Sequence, residues 1–414
     1  MMSGKANKVQ RLPEGWQEVR LGEACRIIIS PVDKKTIEGE TPVKLCNYMD
    51  VYYNNFIDSR INFMIATANP KEIEKFSIIE GDVIITKDSE TPDDIGVPAY
   101  VKETIKHLLC GYHLAILRPK KQTTGKYILY ALGSPRIKHY FYKFANGITR
   151  FGLTIESYQK IKILLPPLPE QKAIASLLET WDTAIEKTEA LLAAKEKRFK
   201  WLLKTLISDQ QDNPKWRKVK LGDIGTTYGG LQGKVKKDFG YGKPYIPYLN
   251  IFQNKHIDPA KLDYVSIEKN ETQNRVKIGD VFFTTSSETP QDVATSSTLL
   301  DDLGECYLNS FCFGYRFEHN ILLPEFSQYL FRSVFFRKVA SVLAQGATRF
   351  NISKNQLMKT AVLLPPLPEQ KTIASLLETW DTDIEKTRAL AKAYHTQKRG
   401  LMQKLLIGKW RVML

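Results

Sequence analysis

Leu164 to Leu191 reads LLPPLPEQKAIASLLETWDTAIEKTEAL, and Leu363 to Leu390 reads LLPPLPEQKTIASLLETWDTDIEKTRAL. Only Ala173/Thr372, Ala184/Asp383 and Glu189/Arg388 differ, at an offset of 199 residues in a chain of 414. A period of half the chain is far too long for a solenoid unit. The chain is therefore a tandem duplication of a domain plus a connector.

The repeated block reads as the start of a long helix. Pro169 and Pro368 suit a first helical turn, where no N–H is needed, and Glu170 or Glu369 then favours the positive end of the dipole. Apolar residues follow in steps of four and three: Ile174, Leu178, Trp181, Ile185, Leu192, Phe199, Leu202 and Leu206, with Thr188 and Lys195 as polar members. The second copy gives Ile373, Leu377, Trp380, Ile384, Ala391, Tyr394, Leu401 and Leu405, with Thr387 and Lys398. A heptad seam of this length predicts coiled-coil pairing. Some 40 helical residues make a rod of roughly 60 Å. The two seams read as nearly interchangeable, and antiparallel pairing would set the two variable regions at opposite ends.

Weaker echoes carry the repeat into those variable regions. Trp16 to Gly22 (WQEVRLG) matches Trp216 to Gly222 (WRKVKLG), and Gly81-Asp82-Val83 matches Gly279-Asp280-Val281. Each Gly-Asp is followed by Ser-Glu-Thr-Pro (Ser89 to Pro92, Ser287 to Pro290), and Gly147 to Phe151 matches Gly346 to Phe350. Asp82 to Thr86 and Asp280 to Thr284 read as strands after a Gly-Asp turn. Lys126 to Lys143 and Pro324 to Leu343 read as helices. The fold class is mixed α and β: two similar globular domains and a pair of long antiparallel coiled-coil helices. The segments are 1–164, a first globular domain; 165–208, a first helix; 209–363, a second globular domain; and 364–414, a second helix.

A net charge of +15 calls for an acidic partner, and nucleic acid is the common one. The helical segments hold +5 of it, leaving +6 in residues 1–164 and +4 in residues 209–363. Five scattered cysteines without a C-x-x-C pair indicate neither a disulfide framework nor a zinc site. The six histidines form no ligand-spaced group, so no metal is expected. No long apolar run or leader-like segment follows the polar start Met1 to Lys5, which points to the cytoplasm and away from membranes. There is no G-x-x-x-x-G-K-[ST] and no N-P-P-Y or D-P-P-Y. Glu170-Gln171-Lys172 has the E-x-K look of a nuclease, but it opens a coiled-coil helix. No active site is expected.

The layout, with L-P-P-L-P-E-Q-K used twice ahead of a leucine-rich helix, resembles the specificity subunits of type I restriction–modification systems. The resemblance implies that each globular domain recognises one half of a split double-stranded DNA target. It implies that the paired helices set the distance between half-sites and that methyltransferase subunits, two of them, dock on this frame, where restriction subunits can join. The chain itself would be non-catalytic and bind no cofactor; S-adenosylmethionine belongs to the partner methyltransferase. Candidate DNA contacts in the first copy are Lys87, Ser89, Thr91, Thr149 and Arg150. In the second they are Thr285, Ser286, Ser287, Thr289, Thr348 and Arg349, with Gln232, Lys234, Lys236 and Lys237 of a basic loop. Ser-Glu-Thr-Pro also makes a good turn. Features shared by both copies suit phosphate better than bases, so Arg150 and Arg349 are assigned to phosphate. A coiled-coil adaptor whose globular ends bind proteins stays open as the other reading.

Overall fold

A computed structural model describes residues 12–33 and 35–412. The polar start Met1 to Lys5 and the last two residues of the second helical segment lie outside the described residues. The chain forms two compact units, Met1–Thr188 with Leu390–Leu414, and Glu189–Ala389. Each unit holds one of the globular segments, 1–164 or 209–363, with the start of one long helix and the end of the other.

In the first unit, the apolar strand Val83–Thr86 lies inside a five-stranded sheet. It is flanked antiparallel by Leu114–Pro119 and Pro98–Val101, with Ala115 opposite Ile85 and Ala99 opposite Ile84. All four of its residues are buried because both faces are covered. Val83 and Ile85 join the core built with the helix Gly125–Leu132. Ile84 joins a second core under the three-stranded sheet of Thr41–Cys46, Met64–Ala68 and Leu108–Cys110. Such a doubly covered strand reads as an unbroken apolar run.

The second unit repeats the plan. Val281–Thr284 lies in a four-stranded sheet between Cys312–Phe317 and Ser296–Thr298. Val281 and Phe283 enter one core and Phe282 the other.

The Gly-Asp pairs do more than turn the chain. Gly81 and Gly279 have φ of +92° and +86°, a conformation that favours glycine. Asp82 accepts the Ile79 N–H and a two-pronged hydrogen bond from Arg118, at 2.9 and 2.8 Å. Asp280 does the same with the Lys277 N–H and Arg316, at 2.8 and 2.7 Å.

The helix expected over Lys126 to Lys143 is two helices, Gly125–Leu132 and Pro135–Phe144. Pro135 has no N–H to continue the ladder. The helix expected over Pro324 to Leu343 is likewise split into Pro324–Leu330 and Val334–Val342, the second starting where the Ser333 side chain accepts the Phe336 N–H.

The first long helix spans Leu168–Leu203 and ends in a π-helical turn, Lys204–Ser208. The second spans Leu367–Leu405. Their entrances show why the proline-rich motif is written twice. The strand Gln17–Arg20 pairs with Lys162–Leu165, and Arg217–Lys220 with Ala361–Leu364. This sets Trp16 and Trp216 beside the helix starts, where their indole N–H groups donate to Glu170 and Glu369 at 3.0 and 3.1 Å. Glu170, only 2% exposed, also pairs with Arg411. Gln171 and Gln370 are fully buried. Each amide bridges a backbone carbonyl of its own proline turn to the loop before the domain's helix pair. The E-x-K triplet is therefore a structural bolt.

All twenty seam positions are buried or half-buried. Within the first unit Trp181 meets Tyr394 edge to face at 5.7 Å, and Lys398 pairs with Asp182. Within the second, Lys195 donates to Thr387 at 2.9 Å and pairs with Asp383 at 2.7 Å. In the first unit residue numbers rise along the first helix as they fall back from beyond the end of the second, from Glu170 with Arg411, six residues past Leu405, to Trp181 with Tyr394, so the helices run antiparallel there. The seams are not interchangeable, because at two seam positions one helix carries lysine where the other carries an aromatic ring: Lys195 against Tyr394, and Phe199 against Lys398.

Candidate nucleic-acid interface

In both units the loop after the buried strand is brought beside the loop of the Gly-x-Thr-Arg-Phe segment. In the first copy Asp88–Ser89 pairs with Phe151–Gly152, and in the second Ser286–Ser287 pairs with Phe350–Asn351. Two stretches 62 residues apart in sequence thus become one surface. Thr149, Arg150, Thr348 and Arg349 are exposed on it, together with Thr91 and Thr289.

Ser89 and Ser287 are 7% and 8% exposed. Their hydroxyls accept the Thr91 and Thr289 N–H groups, so these serines fold the turn and Thr289 is further tied to Asp292 at 2.6 Å. Behind the second loop, the Tyr248 hydroxyl donates to the Ser286 carbonyl at 3.1 Å. Burial pushes the Tyr48 and Tyr248 hydroxyls above their ordinary range.

The two arginines differ in their surroundings. Arg150 donates to Asp88 at 3.0 Å, and the same carboxylate meets His113 Nδ1 at 2.9 Å. Among the described residues no hydrogen bond or ion pair engages the Arg349 guanidinium. The counterparts of Asp88 and His113 are Ser286 and Phe311, so the second copy has neither the acid nor the imidazole there.

Lys87 lies over the ring of Tyr112, 4.3 Å from its centroid, and its N–H donates to the His113 carbonyl. Thr285 makes the same backbone bond to Phe311. Tyr112 and Phe311 are 50% and 63% exposed beside the loop pair, Phe311 standing in the place of His113 and Tyr112 one residue before it. Sequence reasoning passed over Asp88, His113, Tyr112 and Phe311.

The basic loop of the second copy divides. Lys234 is held by Glu271, and the Gln232 backbone is zipped to the Gln273 side chain at 3.1 and 2.8 Å. Lys236 and Lys237 are exposed on a short 3-10 turn. All five cysteines are buried free thiols, and burial pushes Cys25 up to about 12 and Cys306 to about 11. Among the described residues no cluster of three or more His, Cys, Asp or Glu is placed to hold a metal, and no helix is long and apolar enough to cross a membrane.

These surfaces combine exposed cations, hydroxyls and aromatic rims on rigid sheet ends, a set suited to phosphates and base edges. The family model for the type I restriction modification DNA specificity domain matches the chain twice, over residues 13–194 and 213–392. The MjaVIII specificity subunit of a type I restriction enzyme from Methanocaldococcus jannaschii is 25% identical, covering 97% of this chain and 94% of its own. The EcoKI specificity subunit from Escherichia coli is 24% identical over 89% of this chain and 82% of its own. The crystal structure of a type I restriction–modification S subunit from M. genitalium shares the fold, with a TM-score of 0.57 at 13% identity, covering 98% and 99% of the two chains. With both halves matched in turn, the chain belongs to the type I restriction–modification DNA-specificity family.

Proposed function

We propose that this protein is the sequence-reading subunit of a type I restriction–modification complex and binds a bipartite, asymmetric DNA target. The observation that carries this reading is the doubled surface: two homologous loop pairs, one per unit, on domains whose exposed side chains have diverged. Arg150, Arg349, Lys236 and Lys237 serve phosphates. Lys87, Thr91, Thr149, Thr285, Thr289 and Thr348, with the rims Tyr112 and Phe311, face the bases, while the buried Ser89 and Ser287 shape the turns.

The chain supplies no catalytic group, and it acts inside the cell, where the host DNA is. Methyl transfer belongs to methyltransferase subunits carrying S-adenosylmethionine, and restriction subunits add cleavage. Leu177 and Leu191, with their repeats Leu376 and Leu390, are exposed apolar residues on the near-identical block. A face present twice suits two copies of one docking partner. Methylome sequencing of a host expressing this chain with its methyltransferase tests the proposal. A split motif with two unlike halves is expected; a continuous or palindromic motif would sink it.

A further inference from the structure

Two of the three differences within the repeated block sit on the helix pairing. Asp383, where the first block has Ala184, receives Lys195, and Arg388, where the first block has Glu189, pairs with Glu196. The side chain of Lys195 is only 19% exposed, so what faces it matters. If the first helix paired in the same register with its like from a second chain, Lys195 would face Ala184 and Glu196 would face Glu189.

The Phe199/Lys398 exchange adds a second layer. In the first unit Asp182 accepts the Tyr130 hydroxyl at 2.7 Å and pairs with Lys398, both charged side chains being at least four-fifths buried. In the second unit Asp381 accepts the Tyr329 hydroxyl at 2.9 Å, but its lysine is Lys255 of the recognition domain, at 2.5 Å. Phe199 there packs edge to face on Tyr329, with centroids 6.5 Å apart. Each Tyr–Asp pair thus has one lysine from one source. Self-pairing of first helices would set Phe199 against Asp182 and leave that carboxylate without a cation. Self-pairing of second helices would bring Lys398 to Asp381, where Lys255 already stands.

We infer that the two helices carry a pairing code by which each half of the chain selects the other half and rejects a second copy of itself. The repeat makes self-pairing the natural competitor, and specificity against it needs a repulsive element as well as an attractive one. The code ensures that one frame carries two unlike recognition domains.

The full-length chain tests this without dissection. Asp383→Ala with Arg388→Glu installs in the second block the residues of the first, recreating the self-paired faces. We expect the melting temperature to fall by roughly 2–4 °C for each matched pair removed. Adding Glu196→Arg should recover most of the Arg388→Glu share. Lys398→Phe should also lower it, and Asn55→Lys in that background should restore it, because Asn55 holds the place of Lys255 and lines the same cleft as Asp182. A wild-type melting temperature in the doubly altered chain, or failure of both rescues, overturns the code.

Discussion

Asp82 and Arg118 face each other as a planar, two-pronged pair, with the carboxylate 1% exposed and the guanidinium 28%. The pair joins the turn before the buried strand to the neighbouring strand Leu114–Pro119, and its hydrogen bonds hold the Arg118 guanidinium above its ordinary range. Removing one partner of a buried pair leaves the other's charge uncompensated. Asp82→Asn should cost about 3 kcal/mol, the low end for such a loss, since Asn keeps the shape. Asp280→Asn should cost a similar amount in the second unit. Urea denaturation of each variant checks this; a cost under about 0.5 kcal/mol would show the pair to be incidental.

That aspartate also shows how much was legible beforehand. Gly-Asp followed by three apolar residues and a threonine announced a turn and a strand, and both are there. The clamp was not readable, because Arg118 stands 36 residues away and only the sheet register brings it close. The long helices were readable because their seam is local and periodic. The split at Pro135 was overlooked because an apolar rhythm persists across it. The candidate surface was half legible: the loops were found as repeated motifs, Asp88 within one of them was passed over, and the neighbours His113, Tyr112 and Phe311 arrive from just ahead of strands elsewhere in the chain. The asymmetric pairing was in plain view as two substitutions in the repeated block and two lysine–aromatic exchanges beyond it, but which residue faces which required the antiparallel register.

Arg150 shares Asp88 with His113, whereas no ion pair engages Arg349 among the described residues. For the assembled complex, Arg349→Ala should flatten the salt dependence of DNA binding by roughly one unit, and Arg150→Ala by less. Asp88→Asn should steepen it by releasing Arg150. Binding titrations across salt concentrations check the order. Equal effects of the two arginine variants would contradict it.

Acid should loosen the second unit through Glu378. Burial pushes its carboxyl up, but the Tyr329 hydroxyl and the Lys255 ammonium outweigh that, and the net lies below the ordinary 4.5. A carboxyl lowered on folding stabilises above its unfolded value, and the benefit is lost as pH falls through the folded one. The melting temperature should therefore drop below about pH 4.5. Lys255→Met should melt lower at pH 7, with the gap to wild type closing toward pH 3. Glu18, held down by Lys162 and Arg136, keeps some acid sensitivity in both proteins. Parallel curves across the range would rule out the Glu378–Lys255 linkage.

The helices also make a prediction about the DNA. Both compact units change over inside a helix, at Thr188/Glu189 in the first and Ala389/Leu390 in the second. Every contact described above is internal to one unit, so lengthening both helices at those two points leaves all of them in place. Four residues added at each point lengthen the link by one turn, about 6 Å. DNA rises about 3.4 Å per base pair, so the unread spacer between half-sites should grow by one or two pairs. Four residues per helix rather than seven shift the seam by a stutter, which local unwinding absorbs. The half-site sequences should be unchanged, because neither loop surface is touched. Methylation mapping of the lengthened chain reads both quantities at once. A fully active protein with the original spacer would mean that the helices join the two recognition domains without measuring the distance between their half-sites.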